Sequence, residues 1–136
     1  MFQTSISVQT RGKGLYSIAS LLLEALEGQL QKTGLVNIFL QHTSASLTIQ
    51  ENADPSARHD LEQFFERLVP DGQFWHTHTL EGPDDTTSHM KSALTLTSLT
   101  VPVSDGKLAL GVWQGIYLWE HRKQPHRRNI LITLSP

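Results

Sequence analysis

Between Trp75 and His89 the chain reads WHTHTLEGPDDTTSH, a stretch of three histidines, one glutamate and two aspartates. Imidazole nitrogens and carboxylate oxygens hold divalent metal ions, and the same groups carry protons in catalysis. With residues 74–79 extended, His76 and His78 point to one face and can act as a ligand pair. His89, opening the next element, can then close the set. The spacing equally permits a plainer arrangement, in which each ring is exposed or satisfied by a local hydrogen bond.

Other chemistry-bearing groups stand elsewhere. His42 ends an apolar run and is followed by Thr43 and Ser44, whose hydroxyls can meet an anion or merely cap the turn. Glu51 and Asn52 precede Asp54, at the amino end of an expected helix whose free amide protons suit a phosphate; Asp54 itself reads as the cap. Trp113, Gln114 and Gly115, then Glu120, His121 and Arg122, set an aromatic wall, an amide and a charged trio along neighbouring strands, although packing alone accounts for Trp113 and Trp119.

These groups must be positioned by a regular frame. Phe2, Ile6 and Val8 alternate with polar residues, the period of a half-buried strand. Ile18, Leu22, Ala25 and Leu26 recur at helical spacing after Ser17 as cap, with Lys32 and Gly34 as stop signals. LVNIFLQ and SLTIQ read as two strands of a hairpin around HTSAS. Asp54-Pro55 opens a second helix with an apolar stripe of Leu61, Phe64, Phe65 and Leu68 that ends before VPDG. HMKSALTLTSL is a short helix running into the strand LTVPV, Ser104-Asp105-Gly106 reverses the chain, and KLALGVW, GIYLWEH and NILITL are three further strands. The reading is one α+β domain over residues 1–136, with two or three helices on a largely antiparallel or mixed sheet of about seven strands.

Composition excludes several classes. The formal charge of −2 arises from 11 basic and 13 acidic residues mixed along 136 positions, with no basic face to track nucleic acid. There is no cysteine, so metal ligands must be nitrogen or oxygen. No apolar run approaches the ~18 residues of a membrane span and the start is unlike a signal peptide, so the expected location is cytoplasmic, away from membranes.

The segments HTSASLTIQENADPSARHDLEQFF, HTLEGPDDTTSHMKS and LGVWQGIYLWEHR together resemble the YjbQ-like family, described as secondary thiamine-phosphate synthase. The resemblance implies a compact α+β protomer, assembly as a homotrimer, and a weak ability to make thiamine phosphate. It singles out His42, Thr43, Ser44, Asn52, Asp54 and Asp60 in the first segment; His78, Glu81, Gly82, Asp84, Asp85, His89 and Lys91 in the second; and Trp113, Gln114, Gly115, Glu120 and Arg122 in the third. His76 falls outside this pattern, so the expected metal ligands become His42, His78 and His89.

Thiamine-phosphate formation displaces pyrophosphate from an activated pyrimidine by a thiazole nitrogen, and the site must neutralise the departing polyanion. Glu81, Asp84 and Asp85 can hold magnesium through oxygen, Lys91 or Arg122 can meet the phosphate of a small phosphorylated metabolite, and Trp113 can stack on a ring. Thr43, Ser44, Asn52 and Gln114 complete the expected substrate contacts. A histidine-only site instead suits zinc and hydrolysis, with Asp84 or Glu120 as general base. A third reading is a non-catalytic trimeric protein that binds a metal or metabolite; the convergence of Glu81, Asp84, Asp85 and Glu120 weighs against it.

Overall fold

A computed structural model describes residues 1–136 as one α+β domain. In chain order the elements are β1 (Phe2–Gln9), β2 (Gly14–Ser17), α1 (Ala19–Ala25), β3 (Thr33–Leu40), β4 (Ala45–Glu51), α2 (Pro55–Leu68), α3 (Asp85–Leu94), β5 (Ser98–Ser104), β6 (Lys107–Leu108), β7 (Gln114–Glu120) and β8 (Arg127–Ser135). They form a five-stranded sheet, order β1-β8-β3-β5-β6, and a three-stranded sheet, order β2-β7-β4, and every pairing is antiparallel. No helix is long and apolar enough to cross a membrane.

Period-two alternation decides which faces meet. Val36, Ile38 and Leu40 of β3, Leu99, Val101 and Val103 of β5, and Ile130, Ile132 and Leu134 of β8 are buried on one side of the large sheet. Ala45 and Leu47 of β4 with Ile116 and Leu118 of β7 join them in one core, which Ile18, Leu22 and Leu26 around α1 complete. The other face of β7 is covered too. Trp119 stacks on Phe65 of α2 with ring centroids 4.3 Å apart and planes 15° from parallel, worth ~0.5–1.5 kcal/mol beyond area burial. Hence β7 is buried on both faces from Ile116 to Glu120.

Several local expectations need correction. Residues 35–41 and 46–50 are not a hairpin, because β3 pairs with β5 and β8 while β4 crosses to pair with β7 in the other sheet. Helix α1 is shorter than its apolar spacing suggests: Ser17 belongs to β2, and Gly34 lies inside β3. Asp54 does cap α2, accepting the Ser56 N–H at 2.9 Å, but of that helix's stripe only Phe65 is buried, while Phe64 and Leu68 stay exposed. Helix α3 begins at Asp85, four residues before His89. The reversal at Asp105-Gly106 is a two-residue hairpin with both φ positive, 50° and 75°, as the twist of the flanking strands requires.

Candidate functional site: a histidine–aspartate cluster at the start of α3

Because α3 starts at Asp85, Asp85 and His89 stand one turn apart on the same helical face. The loop before the helix brings His78 to the same place. Asp85 Oδ2 lies 2.6 Å from His78 Nε2 and 3.0 Å from His89 Nε2, and one donor atom from each of the three residues falls within 4.8 Å of the others. Asp85 is buried, whereas the His78 and His89 side chains are 49% and 40% exposed, so the cluster opens on one side.

Arg122, just beyond β7, ties down the loop that delivers these groups. It donates through Nε to Asp84 Oδ2 at 3.1 Å, through Nη1 to Asp85 Oδ1 at 2.7 Å and through Nη2 to the Glu81 carbonyl at 3.0 Å. Asp84 also accepts the Lys123 N–H at 2.8 Å. Burial alone would raise the Asp84 carboxyl, but the Lys123 amide and the Arg122 guanidinium outweigh it and hold the group below the usual carboxylate range. Asp85 behaves alike: burial opposes ionisation, and His78, His89 and Arg122 overcome it.

The ring that completes the expected trio stays apart. His42 Nε2 accepts the Asn129 N–H at 2.8 Å, so that lone pair is engaged, and Nδ1 faces Arg128 Nη1 at 3.4 Å. Burial and the neighbouring Arg128 push its pKa down, consistent with a neutral ring. The group that the fold brings beside His78 and His89 is Asp85, not His42. His42 and His89 do line one groove of about 570 Å³, walled by Thr43, Ser92, Thr95 and Thr97. His76 keeps to local company, its Nδ1 accepting the Gln73 N–H at 3.3 Å and its ring set edge-on to Trp75.

Other expected site residues are placed elsewhere, for physical reasons. Glu120 is wholly buried and receives Arg128 on both oxygens as well as the Thr10 hydroxyl at 2.7 Å, which leaves no free base. Ser44 Oγ is taken by the same arginine at 2.9 Å. Lys91 is only 1% exposed and its ammonium pairs with Glu66 in a separate polar cavity of about 210 Å³ that Trp119 and His121 also line, so it meets no substrate at the histidines. Arg122 spends its donors on Asp84, Asp85 and Glu81 and so holds the site rather than a ligand. Trp113, Gln114 and Asn52 sit at the opposite end of β7 from Glu120, ~20 Å away at ~3.3 Å per residue. There the Asn52 amide donates to the carbonyls of Val112 and Gln114, at 3.1 and 3.4 Å. Glu81 is exposed at the rim of the loop and Asp60 lies exposed on α2. The buried Arg128 lies outside the expected set, yet it is in phase with Ile130, Ile132 and Leu134, where a charge at a core position signals a partner.

Fold and cluster together define a single-domain α+β protein of two antiparallel sheets with a His-Asp-His constellation at a helix start. The family model for UPF0047 protein YjbQ-like matches residues 4–136, and the chain belongs to that family. A UPF0047 protein of Synechocystis sp. is 45% identical over 133 residues, covering 98% of this chain and 90% of its own. The UPF0047 protein YjbQ of Escherichia coli O157:H7 is 42% identical over 135 residues, with 98% and 97% covered. Among solved structures, a conserved hypothetical protein from Thermus thermophilus superposes with a TM-score of 0.86 at 34% identity, covering 97% of this chain and 99% of its own.

Proposed function

We propose that the chain is a divalent-metal-assisted enzyme acting on a small phosphorylated metabolite, with His78, Asp85 and His89 holding the ion and the adjoining groove holding the substrate. The hydrogen count at His89 carries this reading. Its Nδ1 lies 2.8 Å from the Thr43 carbonyl oxygen, which can only accept, so Nδ1 bears a hydrogen. Nε2 then turns a lone pair toward an Asp85 oxygen 3.0 Å away, an arrangement that needs either a second ring proton or a cation between them. Donors on one ion at ~2.1 Å and tetrahedral angles sit ~3.4 Å apart, so small side-chain shifts suffice to accommodate it.

Two imidazole nitrogens and one carboxylate oxygen suit zinc or another transition ion; magnesium favours an oxygen shell. Such an ion supplies Lewis-acid polarisation of a phosphoryl or pyrophosphoryl oxygen. The protein's own part is positioning. The Thr43 carbonyl fixes the His89 tautomer, Arg122 fixes Asp85, and a groove of about 570 Å³ is large enough for a small metabolite. Pyrophosphate displacement in thiamine-phosphate synthesis, which the resemblance implies, is one reaction of this class. Zinc-dependent hydrolysis is the second reading, favoured by three protein donors and an open side. The homotrimer that the resemblance implies belongs to the same proposal, and the exposed neighbours Val112 and Trp113 offer apolar surface for a second copy to cover.

Titration of the metal-stripped protein with zinc and cobalt, on wild type, His89→Ala and Asp85→Asn, tests the centre. Pyrophosphate release from the pyrimidine and thiazole substrates, beside phosphate release from a generic aryl phosphate, tests the reaction. Both variants should lose stoichiometric metal and either activity; undiminished metal binding in both would sink the reading.

A further inference from the structure

At the far end of β7 from the histidines, bordered by α1, β2 and β6, lies a cleft of about 580 Å³. This volume falls within the range of small-molecule sites. Leu15, Leu23, Leu30, Leu108 and Leu110 give it an apolar floor, and among all the residues lining it the only charged ones are Arg58 and Lys107. Both are cations, and no aspartate or glutamate answers them within the cleft. Neither forms an ion pair anywhere in the chain. Arg58 is nonetheless held in place: its guanidinium lies 5.7 Å from the Tyr117 ring centroid, and Nη1 donates to the Tyr117 hydroxyl at 3.3 Å. That hydroxyl in turn donates to the Glu51 carbonyl at 3.1 Å. An oriented guanidinium with most donors unspent, above an apolar floor that a second cation also borders, is the complement of one kind of ligand.

We propose that this cleft binds a small amphipathic anion, an acyl-chain or aryl body carrying a carboxylate or phosphate head. The body lies on the leucine floor, and Arg58 and Lys107 take the head. Apolar area supplies the affinity, and the paired cations supply discrimination against uncharged molecules of the same shape. Asn52 and Gln114 also border the cleft, but their amides are engaged in shaping the loop at 111–114. The site is independent of the histidine cluster, so metal binding and cleft binding can fail separately.

Calorimetric titration of the full chain with decanoate, decyl phosphate and decanol reads the proposal directly. At least one of the two anions should bind with a Kd at least about tenfold lower than decanol, as charge-assisted hydrogen bonds require. The double variant Arg58→Gln, Lys107→Gln should raise the anion's Kd by about tenfold or more. Ala19→Trp, which places bulk in the cleft from the exposed start of α1, should abolish binding while thermal unfolding and zinc uptake stay as in the wild type. The proposal is overturned if neither anion binds the wild type, if decanol binds as tightly, or if the charge-removed variant keeps wild-type affinity. A cleft closed by another copy of the chain gives the first of these outcomes.

Discussion

Arg122 pins Asp85 by one oxygen and leaves the other to the histidines: Nη1 donates to Oδ1 at 2.7 Å, and Oδ2 faces His78 and His89. A ligand oriented by a partner outside the metal's own shell loses affinity when that partner goes, typically by ~10–100-fold. Arg122→Gln, which keeps polarity and removes charge, should therefore weaken zinc and cobalt binding by about that factor while leaving three donors in place. Competition against a chelating dye measures it. An unchanged affinity would show that Asp85 needs no such support.

Glu120 and Arg128 form a pair in which the two side chains are 0% and 4% exposed. Removing one member strands the other's charge in the core, and such breaks cost about 3–5 kcal/mol. Glu120→Gln and Arg128→Met should each lower the urea midpoint sharply, whereas the double variant should be more stable than the sum of the two losses implies. Metal uptake should survive in any variant that folds, because the pair supports the sheets and does not touch His78 or His89.

Alternation exposed the strands of the large sheet and the Asp54-Pro55 cap, since those signals are local. The crossing of β4 into a second sheet was hidden, because nothing in HTSAS distinguishes a hairpin turn from a transfer between sheets. At the candidate site, the crowding of histidines and acids around residues 76–89 marks the segment from which the fold brings His78, Asp85 and His89 together. Its key spacing, Asp85 to His89 on one helical turn, is obscured because the polar run 85–88 carries no apolar periodicity to mark the helix before His89. The spare nitrogen of His42 was lost to a backbone N–H from β8, 87 residues away, and no sequence pattern carries a contact of that kind.

His121 gives stability a pH dependence. It is 2% exposed, its Nε2 lies 2.9 Å from Ser46 Oγ, and burial, then the positive charges of Lys91, Arg128 and Lys13, depress its pKa from 6.5 to about 3. The unfolded chain thus binds a proton that the folded chain refuses across that interval. The neutral ring's stabilisation is complete above about 6.5 and is lost as pH falls toward 3. The limiting slope is about 1.4 kcal/mol per pH unit from one such group. His42, also depressed, adds in the same direction. Between roughly pH 4.5 and 6.5, where carboxylates of ordinary pKa are mainly ionised, His121→Gln should flatten the fall of unfolding free energy measured by urea titration. A slope identical to wild type in that window would remove His121 from the account.

Gly115 is fixed by space. A Cβ there would stand 2.9 Å from Asn52 Cβ, 3.0 Å from Tyr117 Cε2 and 3.1 Å from the Tyr117 hydroxyl. None of these neighbours yields easily. Asn52 Cβ moves only with its backbone, which is tied by the Asn52 N–H to the Trp113 carbonyl at 3.1 Å, and the Tyr117 ring is held between Arg58 and the Glu51 carbonyl. Gly115→Ala must therefore part β4 from β7 at the Gln50–Gly115 pairing, and forced insertions of this kind cost ~1–3 kcal/mol. For a domain of this size the melting temperature should fall by several degrees. Asn52→Gly costs stability too, through its lost amide bonds, yet it deletes the atom that clashes. If the clash is the cause, the double variant will be clearly less destabilised than the two single losses added together, because the second substitution relieves what the first creates. Strict additivity in urea unfolding would place the cause elsewhere in the strand.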